Sequence, residues 1–309
     1  MGAALCAGLF AVLSGLFVAY HLLRQRRIVD LNRKGVRYQE WQMWDDAARC
    51  FEQALDIDRT HALSHYNLGF VLYHGKHLVD QAATELSAAL SAEPDMAAAH
   101  YALGHLLFHK TGVVEQAKQH LQEALALQPQ LCEAYNTLGL MEIKHDNWTD
   151  ALSMFTKAVR INETYATAWC NLAISCIYLG RSSEAIDAAQ RYAELQPESP
   201  MALRNLGNIY GACGRREAAI EQLERARALD ATDWIVHFWL GCLHLQTDAP
   251  RTAIPCFHEA LRLNQGAALV HYNLALCYEA VGNKRLARTY IDQAVELNPQ
   301  LGDGLIREE

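Results

Sequence analysis

Small and large apolar residues recur along most of the chain at a fixed interval, and within each interval they follow the period of an α-helix. The pattern is most complete in residues 132–165. This stretch carries Tyr135, Leu138, Gly139, Ala151, Phe155 and Ala158. Gly139 leaves room for a neighbouring helix, and Ala151 and Ala158 are small where two helices would cross. The pattern therefore predicts a helix–turn–helix unit.

Shifting this stretch along the chain finds seven further copies of the unit. Most of them share a Leu-Gly or Leu-Ala pair, present at 68–69, 103–104, 172–173, 206–207, 240–241 and 274–275. The first copy has Gly35 and Tyr38 in place but Lys34 where leucine is usual. One copy alone is unable to bury its apolar face, so the copies are expected to stack. The eight predicted repeats are 28–61, 62–96, 97–131, 132–165, 166–199, 200–233, 234–267 and 268–301.

These positions resemble the pattern W-x2-L-G-x2-Y…A-x3-F…P of the tetratricopeptide repeat family. The resemblance covers residues 28–301. It implies an all-α fold, a right-handed superhelical solenoid of about eight helix–turn–helix repeats. Two repeats have one extra residue, which falls in the turns near Gly75 and Gly112. The resemblance predicts the fold far better than the function, because one fold hosts many functions.

Residues 3–23, at the start of the chain, contain no charged residue. A helix of that length spans about 30 Å, the thickness of the hydrocarbon core of a bilayer. A basic cluster follows, made of Arg24, Arg26, Arg27, Arg33, Lys34 and Arg37. Because basic flanks stay on the cytoplasmic side, residues 1–27 are predicted to form one transmembrane anchor, with the repeats in the cytoplasm. The alternative is an export signal that places the repeats in a periplasm or lumen.

Composition argues against several classes of protein. The net charge of −8 disfavours nucleic-acid binding, which needs a basic face. The nine cysteines are scattered without a C-x-x-C pair, which indicates reduced thiols packed in helices rather than a zinc or redox site. The spacing shows no phosphate-binding glycine loop and no nucleophile–base–acid set. The sequence therefore predicts a protein that is not an enzyme and binds no cofactor.

Histidines are concentrated in one part of the chain, with eight of the fourteen between residues 61 and 120. His105 and His109 are four residues apart on one face of a helix, and His74 is expected beside them. Two such histidines can ligate a metal, but no carboxylate and no H-E-x-x-H motif accompanies them. We therefore predict no metal site and interpret these histidines as solvated or hydrogen-bonded side chains.

The first helix of each repeat is expected to line a concave groove, as in the family that the sequence resembles. The inward positions carry many apolar and aromatic side chains, among them Tyr66, Phe70, Tyr101 and Phe108. The sixth position of four repeats holds Asn67, Asn171, Asn205 and Asn273. Apolar surface marks interaction sites, and a row of amides can pair with the backbone of an extended peptide. The alternative is that some of these side chains pack against adjacent first helices.

Arg204 and Asn208 have the spacing of the clamp with which co-chaperone members of the family grip a terminal carboxylate. Trp239 stands where that clamp needs an asparagine. The clamp is incomplete, so Arg204 and Asn208 remain candidate peptide-binding residues without a chaperone tail as the expected ligand.

The favoured interpretation is a membrane-tethered adaptor that binds a segment of a partner protein in its concave groove. The alternatives are a self-assembling scaffold and a regulatory subunit of a membrane complex. Only a short tail, residues 302–309, follows the last repeat, so Ile291, Val295 and Leu297 are expected to stay partly uncovered. This predicts a weak homo-oligomer, unless the tail folds back over the gap.

Overall fold

A computed structural model describes residues 2–109 and 113–303, with side chains described at 15–109 and 113–301. Every regular element in these residues is an α-helix, as the sequence predicts. The helices form two compact units, residues 1–141 and 142–309, and the boundary falls inside one helix.

The first unit contains three pairs of consecutive helices, and the members of each pair pack against each other. They are α1 (Gly2–Glu40), α2 (Trp44–Ile57), α3 (Ala62–His74), α4 (Val79–Ala92), α5 (Ala97–His109) and α6 (Val114–Leu127). Helix α7 (Cys132–Lys144) begins in this unit. Helices α1, α3 and α5 also touch in succession, so the first helices of the pairs share one face.

The second unit repeats this arrangement after α8. Its helices are α8 (Trp148–Ile161), α9 (Ala166–Tyr178), α10 (Ser182–Leu195), α11 (Pro200–Ala212), α12 (Arg216–Leu229), α13 (Trp234–Gln246), α14 (Pro250–Leu263), α15 (Ala268–Ala280), α16 (Lys284–Leu297) and the short α17 (Gln300–Asp303). Four pairs pack from α9/α10 to α15/α16, and α9, α11, α13 and α15 touch in succession. Stacked helix pairs of this kind confirm the predicted all-α repeat fold.

Close packing within several of the pairs depends on a glycine in the first helix. A Cβ at Gly69 of α3 would lie 2.9 Å from Cγ of Leu86 in α4. A Cβ at Gly241 of α13 would lie 2.6 Å from the ring of Phe257 in α14. Leu86 and Phe257 are both buried, so the missing Cβ leaves the space that these large side chains fill.

The turn between paired helices repeats one backbone conformation. One residue has a positive φ in each of the seven turns that the structure describes, namely Gln42, His77, Asp146, Gly180, Gly214, Asp248 and Gly282. In the turn of Gly214, the next N–H, of Arg215, donates to the Tyr210 carbonyl at 2.8 Å. This bond belongs to the usual helix ending with a left-handed residue, where glycine fits with least strain.

The predicted N-terminal membrane anchor is wrong. Helix α1 does not end after residue 23, since it continues through the basic cluster into the first repeat, where Ile28 and Asn32 are buried. Arg24 donates a hydrogen bond to the Ile57 carbonyl at the end of α2. Among the residues whose side chains the structure describes, 15–109 and 113–301, no helix is both long and apolar enough to cross a bilayer. The predicted single-pass membrane localisation is therefore contradicted. Most of the predicted tether, residues 3–14, lies outside the residues whose side chains the structure describes.

The C-terminal end of the second unit is described as far as α17. Leu297 is exposed, while Ile291 and Val295 are half-buried. The side chains of residues 302–309, which the sequence analysis considered as a cover for this end, lie outside the described residues. The weak homo-oligomer and the eight repeat boundaries stay predictions.

Candidate functional site

The first-helix face of the second unit carries the polar side chains that are placed best to meet a ligand. Asn205 of α11 reaches the neighbouring α9, where its Nδ2–H donates to Sγ of Cys170 at 3.2 Å. Asn208 lies three residues further along α11, so it projects from the same side of the helix. This face therefore presents two amides in succession on its central helix.

Two small cavities flank Asn208. The first, of about 60 Å³, lies between α9 and α11 beside Cys170 and Ile174. The second, of about 110 Å³, lies between α11 and α13 beside Gly211 and Trp239. Asn208 lines both cavities, and all of the residues that line them are uncharged. The arrangement suits small neutral side chains on either side of one amide.

The Asn208 amide is open to a ligand. Within the part of the chain that the structure describes, its side chain has no hydrogen-bond partner. The side chain is half-buried. An amide offers two N–H donors and a carbonyl acceptor, which are the partners that a peptide backbone needs.

Arg204 is held by an ion pair within the second unit. Its guanidinium donates to Oδ2 of Asp233 at 2.6 Å, and the two side chains are only 19% and 13% exposed. Asp233 also caps α13, because its Oδ1 accepts from the N–H of Ile235 at 3.0 Å. The clamp considered from the sequence needs the Arg204 guanidinium to bind a carboxylate of the ligand. That guanidinium is already paired with the carboxylate of Asp233.

The predicted row of asparagines makes hydrogen bonds within each unit. In the first unit, Nδ2 of Asn67 donates to Oδ1 of the buried Asn32 at 3.1 Å. In the second, Nδ2 of Asn273 donates to the Leu269 carbonyl of its own helix at 2.8 Å. Asn171 is half-buried on α9. A peptide would compete for some of these groups, although each amide keeps a second hydrogen.

The first-helix face of the first unit is rich in aromatic rings. On α3, the ring centroid of His74 lies 4.3 Å from that of Phe70 and 4.7 Å from that of Tyr73. Tyr73 and Tyr101 approach His105 of α5, at 6.0 and 5.8 Å. The structure thus brings together rings that the sequence analysis assigned partly to peptide binding and partly to a rejected metal site.

The four predicted aromatic contact residues differ in exposure. Tyr66, Phe70 and Tyr101 are half-buried and have surface to offer a ligand. Phe108 is only 6% exposed and belongs to the core of the first unit. Its large side chain serves packing, which is the alternative that the sequence left open for this row.

Burial controls the protonation of this aromatic face. It raises the pKa of Tyr101 to about 12, although a hydrogen bond with Thr137 acts in the opposite direction. Burial, helped by the neighbouring His109 and His74, lowers the pKa of His105 to about 4. Both groups are therefore neutral at physiological pH, and the face is a largely uncharged surface.

The described residues offer little for metal or thiol chemistry. They contain no group of three or more His, Cys, Asp or Glu side chains that could hold a metal ion. The eight described cysteines are free thiols. Burial raises the pKa of Cys242 to about 12 and that of Cys277 to about 11. Both thiols stay protonated, which makes them weak nucleophiles.

A cleft of about 510 Å³ in the first unit was missed by the sequence analysis. Its lining includes Val36, Gln39, Glu40, Trp44, Tyr66 and Phe70. Val36 and Gln39 occupy the ninth and twelfth positions of the first repeat, the register that placed Phe70 on the inner face. Applying that register to residues 28–61 would have found them. Trp44 begins α2 just after the turn, where the repeat pattern gives no signal.

Stacked helix pairs that present the faces of their first helices define a class of repeat protein that serves protein–protein interaction. The particular family follows from family models. One model described as tetratricopeptide repeat matches residues 72–132, 136–200 and 170–233, which is more than half of the chain, and another matches 268–301. The chain belongs to the tetratricopeptide repeat family, and no enzymatic family is indicated.

Two curated proteins of Schizosaccharomyces pombe are similar to parts of this chain. Anaphase-promoting complex subunit 3 is 24% identical over 154 residues, which are 50% of this chain and 23% of that protein. Superkiller protein 3 is 26% identical over 113 residues, 37% of this chain and 8% of that protein. The chain thus spans less than a quarter of the length of these relatives.

Several solved structures share the fold. Pseudomonas aeruginosa pilF has a TM-score of 0.63 and 19% identity, covering 70% of this chain and 98% of that one. The APC/C hetero-tetramer Cut9-Hcn1 has a TM-score of 0.63 and 20% identity, covering 85% and 52%. A tetratricopeptide repeat protein from Parabacteroides merdae has a TM-score of 0.58 and 18% identity, covering 82% and 99%. These likenesses show the fold alone.

Proposed function

We propose that this protein is an adaptor that binds an extended, uncharged segment of a partner protein across α9, α11 and α13. The observation that carries the proposal is the position of Asn208 between two neutral cavities. Its amide is open, so it can bond the partner's backbone, while the cavities receive two of the partner's side chains.

The size and lining of the cavities limit which side chains they accept. Water occupies about 30 Å³ per molecule in the liquid, so volumes of about 60 and 110 Å³ suit small apolar groups. A charged side chain would lose its hydration without finding a counter-ion, which disfavours acidic or basic segments here. The bound segment is therefore small and apolar at both cavities.

The comparisons support a protein as the partner. One relative is named as a subunit of the anaphase-promoting complex, and one structural neighbour is a hetero-tetramer. Both names describe assemblies of several protein chains. An extended segment of another chain is the natural ligand of a helical repeat face.

A displayed library of random peptides, selected on the full-length chain, tests the proposal. We expect enriched sequences to be uncharged with small apolar residues. Asn208→Ala should weaken the best of them about fivefold, since one neutral hydrogen bond contributes about 1 kcal/mol. Gly211→Ala narrows the second cavity and should weaken binding as well. The matched control is Gln293→Ala, which removes an exposed amide on α16, away from the cavities.

Two outcomes would contradict the proposal. Selected peptides that are rich in charged residues would show that another surface dominates binding. Equal affinity of the Asn208→Ala variant and the parent chain for an enriched neutral peptide would exclude the amide as its contact.

A further inference from the structure

The cleft of about 510 Å³ between α1 and α3 has a chemistry unlike that of the two neutral cavities. Three aromatic side chains line it, Trp44, Tyr66 and Phe70. Each of them is half-buried, so part of each ring stays accessible. A volume in the range of about 300–1,000 Å³ is typical of sites that take a small ligand or a single large side chain.

One carboxylate faces this aromatic cleft. Glu40, the last residue of α1, is exposed and is the charged residue among those that line the cleft. Within the described residues Glu40 has no ion-pair partner. An aromatic face carries negative charge density, so the rings and the carboxylate favour the same kind of ligand, a cation.

Two lysines of the first unit have partners of their own. The ammonium of Lys34 lies 5.5 Å from the centroid of the Tyr38 ring. Lys76 is paired with Asp45 at 2.7 Å. Neither of them pairs with Glu40, and Arg37, one turn earlier on α1, makes no ion pair with it either, so the carboxylate is open to a ligand.

The position of Trp44 is fixed by its surroundings. A Cβ at Gly75, the residue after α3, would clash with the indole, so the ring lies directly against this glycine. The backbone just before Trp44 is also fixed, because Gln42 in the preceding turn has the left-handed conformation. The ring is therefore held in place before any ligand arrives, which lowers the entropy that binding costs.

We propose that this cleft is a binding site for a cationic side chain, with an arginine of a partner protein as its occupant. The planar guanidinium stacks on an aromatic ring and donates to the Glu40 carboxylate, which a lysine ammonium does less well. The aliphatic stem of the arginine packs along Val36 and Phe70.

Nuclear magnetic resonance of the full-length chain tests the proposal with short peptides as probes. The probe is acetyl-Gly-Arg-Gly-amide. The control peptide has citrulline in place of arginine, a side chain of nearly the same shape without a charge. Trp44→Phe identifies the indole N–H signal of Trp44. We expect the arginine peptide to shift that signal saturably and the citrulline peptide to bind several-fold more weakly. A lysine peptide should fall between the two.

Variants separate a specific site from general attraction. Glu40→Gln should weaken the arginine peptide about two- to fivefold, the range of an exposed ion pair. Phe70→Leu, which keeps an apolar side chain but removes a ring, should weaken it by a similar factor. Glu52→Gln is the matched control, because Glu52 is an exposed carboxylate of the same unit outside the cleft.

Three results would overturn the proposal. Equal affinity for the arginine and citrulline peptides would show that charge plays no part. If Glu40→Gln and Glu52→Gln lose the same affinity for the arginine peptide, the loss reflects the net charge of the protein and not a contact with Glu40. A Trp44 signal that does not move up to the solubility limit of the arginine peptide would show that the cleft binds no cation.

Discussion

Trp169 and Glu163 are joined by a hydrogen bond in which the indole Nε1–H donates to the Glu163 carbonyl oxygen at 2.8 Å. Trp169 is the fourth residue of α9, and Glu163 lies in the turn before that helix. A carbonyl in such a turn has no partner within a helix, so the indole satisfies it and fixes the entry of the chain into α9.

Histidines occupy the same position in four other repeats. The ring nitrogen Nε2 lies 2.9 to 3.0 Å from a carbonyl six residues earlier in the pairs His65–Arg59, His100–Pro94, His237–Ala231 and His271–Gln265. A tryptophan can only donate here, so the parallel assigns the donating Nε2–H to the histidines. The family pattern has tryptophan at this position. A histidine in its place still provides a ring N–H that donates to the same carbonyl.

Removing this donor should destabilise the second unit. His237 is buried, so in His237→Phe the Ala231 carbonyl loses its partner while a ring of similar size remains. We expect the free energy of unfolding to fall by about 1–2 kcal/mol. Urea unfolding followed by circular dichroism measures the change. An unchanged midpoint would show that water replaces the ring as donor at no cost.

The left-handed turn residues give a second prediction. Gly214 has a φ of +73°, and a Cβ added there meets nothing within 4 Å. Gly214→Ala therefore carries backbone strain alone and should lower the free energy of unfolding by about 1–2 kcal/mol. The control is Gly266→Ala, in which the atom nearest to the new Cβ is Oδ1 of Asn264, at 3.7 Å. Its effect on the urea midpoint should be much smaller, and equal losses in the two variants would refute the strain argument.

Two glycines on adjacent first helices should respond in opposite ways. In Gly241→Ala the new Cβ would lie 2.6 Å from the ring of the buried Phe257, so we expect a loss of about 1–3 kcal/mol from overpacking. In Gly211→Ala the nearest atom is a methyl of Leu243 at 3.4 Å, an ordinary contact. That variant should gain up to about 1 kcal/mol from helix propensity. Thermal unfolding distinguishes the two signs, and a stabilised Gly241→Ala would contradict the packing argument.

The sequence predicted the repeat fold well because its signal is local and repeated. Gly69 and Leu86 are within one repeat, and their spacing alone indicates where two helices cross. The membrane anchor was predicted from residues 3–23 as an isolated stretch. The helix in fact continues past Arg24, whose side chain bonds α2, and the basic residues belong to the first repeat as much as to its flank.

The candidate sites were harder to predict because they depend on which side chains meet across neighbouring helices. The sequence made Arg204 a candidate peptide-binding residue, but it gave no sign that Asp233, in the next repeat, would pair with its guanidinium. Asn208 was among the predicted residues, yet the cavities beside it are lined by residues from five different helices, α9 to α13. The aromatic cleft combines α1, α2 and α3, and the family pattern specifies neither Glu40 nor Trp44.

The half-buried His105 should make the first unit less stable in acid. Burial lowers its pKa from 6.5 to about 4, so the folded state resists a proton that the unfolded chain accepts readily. The stability that the neutral ring contributes is complete above pH 6.5 and is lost progressively as the pH falls toward about 4. His105→Phe keeps an aromatic ring but removes the titration. We expect its urea midpoint to fall less than that of the parent chain over this range. Above pH 6.5 the difference between the two proteins should be constant, and parallel curves throughout would show that His105 takes up its proton equally in both states.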